Sequence, residues 1–408
     1  MSTATDAPAL PRAAQTRNLI LATWAFAISF WAWNMIGPLA ARYAGDMDLS
    51  STQKSLAVAV PVIVGSLGRI AAGTLTDKYG GRLMFTVLLV ATAPFVVLVA
   101  VAGNADSYAL LLVFGFFLGI GGTTFAVGIP TVKAWYEKPR QGFATGLFGA
   151  GMGGTALSSF FTPRFVDWFG YMATHVILAV ALLATAAACW AFMRDSPRWS
   201  PAADKAGPKL LAALKEPVTW QMSLLYAIVF GGFVAFSTYL PTYLGDVTTY
   251  GYGLTEAGER TAGFALAAVI ARPVGGALSD RLGPRFVTLV SLAGTAVMAV
   301  VLALRPEPEW PAGLAFVAMA AFLGLGSGSV FAWVAQRAPA DKTGSVTGIV
   351  GAAGGLGGFF PPLVMGATYN EEDHTYTVGL TLLCITAALV FLFTLVGLRE
   401  RPGDRRKA

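Results

Sequence analysis

RIAAGTLTDKYGGR, residues 69–82, recurs 203 positions later as RPVGGALSDRLGPR, residues 272–285. Arginine, glycine, leucine, aspartate, a base, glycine and a final arginine coincide between the two copies. A second pair, TGLFGA at 145–150 and TGIVGA at 347–352, is related by a nearly equal shift of 202. Two separate segments therefore correspond between the two parts of the chain, which predicts two structurally similar halves in parallel orientation.

The composition indicates that these halves lie in a membrane. The chain has 408 residues, of which 55% are hydrophobic and 12% are charged, too apolar for a soluble protein with a polar surface. Stretches of about 20 apolar residues, enough to cross ~30 Å of hydrocarbon, recur twelve times. They span residues 18–44, 54–77, 83–103, 107–134, 141–163, 171–193, 217–244, 256–280, 285–304, 311–336, 343–368 and 377–397.

The predicted fold is an all-α polytopic membrane protein with twelve transmembrane helices in two pseudo-symmetric six-helix halves. The basic residues concentrate on one side of the short loops, which predicts that this side and both termini are cytoplasmic. A protein in the cytoplasmic membrane is therefore expected. The predicted divisions are an N-terminal tail at 1–17, a bundle at 18–193, a polar linker at 194–216, a bundle at 217–397 and a C-terminal tail at 398–408.

Both arginines that open the repeated stretch lie deep within predicted helices. At about 1.5 Å per residue, Arg69 lies roughly 12 Å from the helix end at Asp77, and Arg272 has the same relation to Asp280. A charge at that depth costs at least ~2.5–3.5 kcal/mol and is normally tolerated only beside a cavity or a partner. Snorkelling is the structural alternative, but the side chain could barely reach the interface. The pattern favours a functional role.

No buried carboxylate is expected to neutralise these two arginines, because every Asp and Glu lies in a loop or at a helix end. We expect the two guanidinium groups to face each other across a central cavity. A planar oxyanion suits such a site, because a guanidinium fork forms bidentate, in-plane hydrogen bonds with paired oxygens. The sequence thus predicts a binding site for a small inorganic anion.

Glycine is unusually dense in predicted helices 5 and 11. A glycine inside a helix costs about 1 kcal/mol relative to alanine, so a concentration of them needs a reason, and close helix packing supplies one. Thin helices would let the two halves approach closely and rock. The glycines are Gly142, Gly146, Gly149, Gly151, Gly153 and Gly154 in helix 5, and Gly344, Gly348, Gly351, Gly354, Gly355, Gly357 and Gly358 in helix 11.

GTLTDKYGGR at 73–82 resembles the loop signature between helices 2 and 3 of the major facilitator superfamily. ATGLFGAG at 144–151 and GIVGAAGGLGGF at 348–359, together with Arg69 and Arg272, resemble the NarK-type nitrate/nitrite porters over essentially the whole chain. The resemblance implies alternating access to a site at the interface of the halves.

The resemblance also assigns residues. It implies that the two arginines bind nitrate or nitrite between aromatic walls. It also implies that a second set of residues, at the cytoplasmic helix ends, holds the two halves together. The implied substrate-binding residues are Arg69, Arg272, Phe125, Tyr226, Phe230, Gly149, Gly151, Gly351 and Gly354. The implied gating residues are Asp77, Arg82, Asp280 and Arg285.

The chain departs from the family pattern at two positions. Met152 and Ser327 stand where family members often have asparagine, which removes amide donors and bears on the choice between nitrate and nitrite. Asn34 in helix 1 and Ser329 in helix 10 are candidate replacement donors, and helix packing is the alternative role for each.

We expect nitrate/nitrite exchange, because the spans offer almost no titratable group for a proton pathway. Nitrate/proton symport, a small-carboxylate exchanger of the oxalate/formate kind and a membrane sensor are the alternatives. Catalysis is disfavoured because no catalytic constellation can be assembled at one depth. Two cysteines and two histidines lie far apart in the sequence, so no metal site and no cofactor are expected. We expect a monomer.

Overall fold

A computed structural model describes residues 10–201, 206–246, 249–304, 306–307, 309–339, 342–370 and 376–398. The C-terminal basic tail, the acidic loop at 371–373 and most of the N-terminal tail lie outside the described residues. The membrane helices are helix 1, Arg12–Asp46; helix 2, Ser51–Tyr79; helix 3, Gly81–Asn104; helix 4, Tyr108–Trp135; helix 6, Tyr171–Phe192; helix 7, Pro217–Gly245; helix 8, Leu254–Leu282; helix 9, Pro284–Ala303; helix 10, Trp310–Arg337; helix 11, Thr343–Ala367; and helix 12, Thr377–Gly397.

Helix 5 consists of three pieces, Lys138–Gly149, a 3₁₀ turn at Ala150–Gly153, and Gly154–Phe169. Among the described residues, the other eleven helices are long and apolar enough to cross a membrane, whereas the many glycine, serine and threonine residues of helix 5 make it less apolar. The prediction of a multi-pass helical protein is confirmed.

The sequence repeat is visible as repeated local structure. Helices 2 and 8 both end at a glycine with positive φ, Gly80 at 85° and Gly283 at 87°, a backbone conformation that favours glycine. The arginine two residues later then donates to carbonyl groups at the end of the last helix of its own half. Arg82 donates to the Trp190 carbonyl, and Arg285 donates to the carbonyls of Leu395 and Leu398.

The two halves meet tightly where helices 2 and 8 begin, which we call the far end. A Cβ atom added to Gly37 would lie 2.4 Å from the Thr238 carbonyl oxygen, and one added to Gly258 would lie 2.3 Å from that of Ser159. These glycines lie in helices 1 and 8, and their neighbours lie in the opposite half. Only residues without a side chain allow backbones to approach this closely.

Polar contacts between helices 5 and 8 also join the halves at the far end. Arg164 forms an ion pair with Glu259, and Thr255 donates a 3.0 Å hydrogen bond to Asp167. The Ser55 hydroxyl of helix 2 similarly donates to the Tyr239 hydroxyl of helix 7 at 3.0 Å. The far end is therefore closed.

The opposite end of the bundle, where helices 2 and 8 finish at Tyr79 and Leu282, is open. We call it the basic end, because Lys78 and Lys133 lie there. A cavity of about 760 Å³ extends from Arg69 to this end between helices 2, 4 and 11. The cavity is therefore accessible from the basic end and closed at the far end.

Two helix bounds and the linker differ from the sequence predictions. Helix 1 begins at Arg12, six residues earlier than residue 18, and helix 5 ends at Phe169, six residues later than residue 163. The linker, expected to be a polar loop, contains a helix at Ala206–Leu214, the linker helix. Its leucines repeat at helical spacing, and Leu210 contributes to the cavity wall. The linker helix therefore covers part of the basic end of the cavity.

Candidate functional site

Arg69 lies at the inner end of the cavity, and its side chain is 1% exposed. Its Nε donates to the Gly122 carbonyl at 3.2 Å, and its Nη1 donates to the Gly351 carbonyl at 2.9 Å. Gly122 lies in the 3₁₀ turn Gly119–Thr123 of helix 4, whereas Gly351 belongs to helix 11. The guanidinium of Arg69 thus bonds to both halves. Within the described residues, its Nη2 has no hydrogen-bond partner.

Arg272 occupies the related position in helix 8 and is partly buried. Its Nη2 donates to the Tyr226 hydroxyl of helix 7 at 3.1 Å, and its Nη1 contacts the sulfur of Met152 in helix 5. Arg272 therefore also bonds to both halves, to helix 7 of its own half and to helix 5 of the other half. A thioether is a weak acceptor, so this guanidinium bond is easily exchanged for one to an anion.

Phe125 and Phe230 each lie close to both guanidinium groups. The rings are 6.3 Å apart with 23° between their planes, and both are almost completely buried. The Arg69 guanidinium carbon lies 5.2 and 5.3 Å from the two ring centroids, and that of Arg272 lies 5.6 and 5.7 Å from them. Each ring faces both cations, which stabilises them through the ring quadrupoles.

Tyr226 completes the aromatic wall. Its ring stacks on Phe230 at 4.8 Å, with 2° between the ring planes. Helix 11 leaves room for it through Gly354, because an added Cβ there would lie 2.0 Å from Tyr226 Cδ1. The stacking holds the Tyr226 hydroxyl where it accepts from Arg272.

The two cations have no carboxylate partner in the described part of the chain, where no ion pair includes Arg69 or Arg272. Carbonyl oxygens, a hydroxyl, a thioether and ring faces are their hydrogen-bond and cation–π partners there. All of these are neutral, so the net charge of the site is positive. An anion is the ligand that such a site stabilises most.

The three other glycines that were predicted to bind the substrate lie in different environments. Gly351 supplies the carbonyl that binds Arg69, and an added Cβ there would be 3.8 Å from Phe125. Gly151 packs against Phe26 of helix 1, so its closest neighbour belongs to its own half. Gly149 has no heavy atom within 4 Å of an added Cβ and faces open space.

Neither candidate replacement donor contacts an arginine in the described structure. The Asn34 amide lies 3.4 Å from the Ser159 hydroxyl, within its own half. The Ser329 hydroxyl donates to the Pro284 carbonyl at 2.7 Å and pairs with Thr288 at 2.9 Å. Both side chains thus make helix–helix hydrogen bonds, which supports the packing alternative.

The predicted gating residues lie at the basic end. Arg82 and Arg285 each bond within their own half, and Asp77 borders the open cavity. Asp280 is exposed. With the basic end open, none of the hydrogen bonds or ion pairs resolved for these four side chains crosses between halves, so the latch stays a prediction for the conformation in which this end closes.

Three residues near the arginine pair, Trp33, Phe331 and Ser66, were not predicted from the sequence. For a fourth, Met152, the contact was not predicted. Trp33 and Phe331 extend the aromatic wall, with centroids 5.9 Å from Arg69 and 5.5 Å from Arg272, and nothing in the sequence distinguished them from other aromatic residues. Met152 was noted as a departure, but its contact with Arg272 depends on tertiary structure. Ser66 could have been found from the sequence, since it precedes Arg69 by three residues and so shares its helix face.

Comparison with known proteins identifies relatives along the whole chain. The model of the Major Facilitator Superfamily matches residues 22–362 and 248–407. The chain is 59% identical to a probable nitrate/nitrite transporter, NarK2, of Mycobacterium tuberculosis, and the match covers 96% of this chain and 98% of the relative. It is 34% identical to the nitrite extrusion protein of Bacillus subtilis, with 93% of each chain covered.

Two further proteins extend the comparison. A probable nitrate/nitrite antiporter, NarK1, of Thermus thermophilus is 36% identical, and the match covers 85% of this chain and 84% of the relative. The crystal structure of a bacterial homolog of the human lysosomal transporter Spinster, in an inward-facing and occupied conformation, superposes with a TM-score of 0.74. Its sequence identity is 16%, with 97% of this chain and 99% of that chain covered, so it supports the fold alone.

Proposed function

This chain belongs to the NarK-type nitrate/nitrite porters of the major facilitator superfamily, and we propose that it exchanges nitrate for nitrite across the cell membrane by alternating access. It is a transporter and not an enzyme. The observation that carries the proposal is the pair of arginines, Arg69 and Arg272, which have no carboxylate partner among the described residues and lie beside the Phe125 and Phe230 rings. The names of the relatives support nitrate and nitrite as the anions.

The proposed binding mode uses both guanidinium groups. Nitrate and nitrite are planar and carry one negative charge, so each can accept paired in-plane hydrogen bonds from a fork. Arg69 offers its unpartnered Nη2, and Arg272 offers Nη1 when the Met152 sulfur gives way. The Phe125 and Phe230 rings limit the thickness of the site and exclude water and larger anions.

Each arginine bonds to both halves, which links anion binding to the movement of the halves. An anion between the guanidinium groups lowers their mutual repulsion and lets helices 5 and 11 approach across the site. An empty carrier keeps two positive charges in a desolvated place, so reorientation without an anion is disfavoured. A ligand shifts a conformational equilibrium only by its differential affinity for the two states, and charge neutralisation provides that difference.

The surroundings support exchange over proton symport. In the structure as described, no carboxylate forms an ion pair with either arginine, and His175 is buried near the start of helix 6 against Tyr171. A proton pathway to the site would need a titratable group close to it. We also propose that the basic end faces the cytoplasm, following the distribution of basic residues, and that the protein acts as a monomer.

The exchange mechanism predicts that nitrate uptake into proteoliposomes depends on internal anion. We expect vesicles loaded with nitrite to take up nitrate at least about tenfold faster than anion-free vesicles, because an empty site leaves uncompensated charge costing ~2.5 kcal/mol or more. Uptake is measured with isotopically labelled nitrate at equal internal and external pH.

Two further conditions separate the alternatives. A pH gradient imposed on anion-free vesicles should not restore uptake, and rapid pH-driven uptake would replace exchange with proton symport. External oxalate and formate should not compete with labelled nitrate. Strong competition by either would instead assign the arginine pair to a small-carboxylate exchanger.

A further inference from the structure

The Ser66 hydroxyl is an unused hydrogen-bonding group beside Arg69. Its side chain is 0% exposed, and within the described residues its Oγ has no hydrogen-bond partner. Some buried hydroxyls in this half donate to the carbonyl one helical turn back. Thr76 and Thr131 do so at 2.7 Å. Ser66 differs from them, and its hydroxyl remains available.

The position of Ser66 places this hydroxyl at the arginine. Ser66 lies three residues before Arg69 in helix 2, so the two side chains share one helix face. Gly355 of helix 11 lies next to both side chains, because a Cβ added there would lie 2.2 Å from Ser66 Oγ and 3.2 Å from Arg69 Nη1. The Ser66 hydroxyl and Arg69 Nη1 therefore both lie against helix 11 of the other half at Gly355.

Two buried donors on this helix face lack partners in the described structure, Ser66 Oγ and the Nη2 of the Arg69 guanidinium. Buried polar groups are normally satisfied, and the exceptions require an explanation. The Trp33 indole does not provide one, because its N–H donates to the Pro61 carbonyl at 3.1 Å. A hydroxyl beside a cation turns its lone pairs towards the cation and its O–H away from it, so the O–H is available to donate to an anion.

We propose that Ser66 is a specificity residue that donates a hydrogen bond to one oxygen of the bound anion and favours nitrate over nitrite. The proposal rests on the proposed function of the arginine pair. The two forks together donate four hydrogen bonds. Nitrate has three oxygens with six in-plane lone pairs, so acceptor capacity remains, whereas nitrite has two oxygens with four in-plane lone pairs, which the four hydrogen bonds fill. The hydroxyl adds a donor without adding charge, which suits discrimination between anions of equal charge.

A packing role for Ser66 is the alternative, because a small residue is needed opposite Gly355. Alanine separates the two roles, since Ser66→Ala keeps the small size and removes only the hydroxyl. The matched control is Ser158→Ala in helix 5, because Ser158 is also 0% exposed and also has no partner among the described residues.

The test measures the KM for external nitrate and for external nitrite in vesicles loaded with nitrite. We expect Ser66→Ala to raise the KM for nitrate by roughly fivefold, the effect of one hydrogen bond, and to change that for nitrite by less than about twofold. Ser158→Ala should match wild type for both anions. Equal changes for the two anions, or no change for either, would overturn the proposal.

Two further measurements keep the result interpretable. Wild-type exchange is measured first, because its absence contradicts the proposed function, whereas active wild type with unselective Ser66→Ala contradicts only the role of Ser66. If Ser66→Ala does not elute as a monodisperse protein, Ser66→Cys replaces it, with a similar volume and a weaker donor. The same nitrate-selective rise in KM is expected for that variant.

Discussion

Arg69→Lys and Arg272→Lys each reduce nitrate/nitrite exchange by about a hundredfold or more, because each loses roughly two charge-assisted hydrogen bonds at ~1.5 kcal/mol apiece. Lysine keeps the positive charge but carries it as a point, without the planar fork. It also cannot reproduce the simultaneous bonds of Arg69 to Gly122 and Gly351 in opposite halves. The measurement is labelled nitrate uptake into vesicles loaded with nitrite.

Arg42→Lys is the matched control for this loss. Arg42 lies in helix 1, where its Nε is 3.2 Å from Asp46 and its guanidinium carbon lies 4.1 Å above the Tyr171 ring. Those contacts lie away from the arginine pair, so exchange should stay near the wild-type rate. Exchange that survives in both Arg69→Lys and Arg272→Lys would make the arginines structural and remove the basis for an anion site.

Gly354→Ala lowers exchange by about thirtyfold, because overpacking a well-filled site costs roughly 2 kcal/mol. The added methyl group would lie 2.0 Å from Tyr226 Cδ1. That ring has little room to move, since it stacks on Phe230 at 4.8 Å and meets Phe331 edge-on at 4.6 Å. The added methyl group therefore either displaces the Tyr226 hydroxyl from Arg272 or moves helix 11 away from helix 7. Exchange rate and nitrate KM are both measured.

Gly313→Ala provides the comparison, because an added Cβ at Gly313 in helix 10 would have no neighbour within 4 Å. Both variants gain helix propensity from the same exchange of glycine for alanine. A difference between them therefore reports the contact with Tyr226. If Gly354→Ala transports like Gly313→Ala, then the position of Tyr226 is not important for the anion site.

The sequence predicted the fold and the proximity of Arg69 and Arg272 because both depend on features that a single chain displays. The 203-residue repeat fixed the pairing of Arg69 with Arg272, and depth within a helix follows from counting residues. The absence of buried carboxylates could also be read directly. These inferences need only local geometry and the cost of charge in hydrocarbon.

Tertiary contacts were beyond the reach of that reasoning. Which carbonyls bind Arg69 depends on a 3₁₀ turn in helix 4 and on the approach of helix 11. Asn34 and Ser329 were reasonable donors by composition, yet their hydrogen bonds run to neighbouring helices. The sequence also did not predict the linker helix, because its few leucines lie in a polar, proline-containing segment.

The glycines that face open space at the basic end have a consequence for how the sequence should be interpreted. Gly142, Gly146, Gly149, Gly344 and Gly348 have no neighbour within 4 Å of an added Cβ in this conformation, so nothing here requires them to be glycine. Glycine nevertheless weakens a helix. At the far end, Gly37 and Gly258 lie where backbones of the two halves touch. We expect the five positions to provide a second contact surface of this kind when the basic end closes.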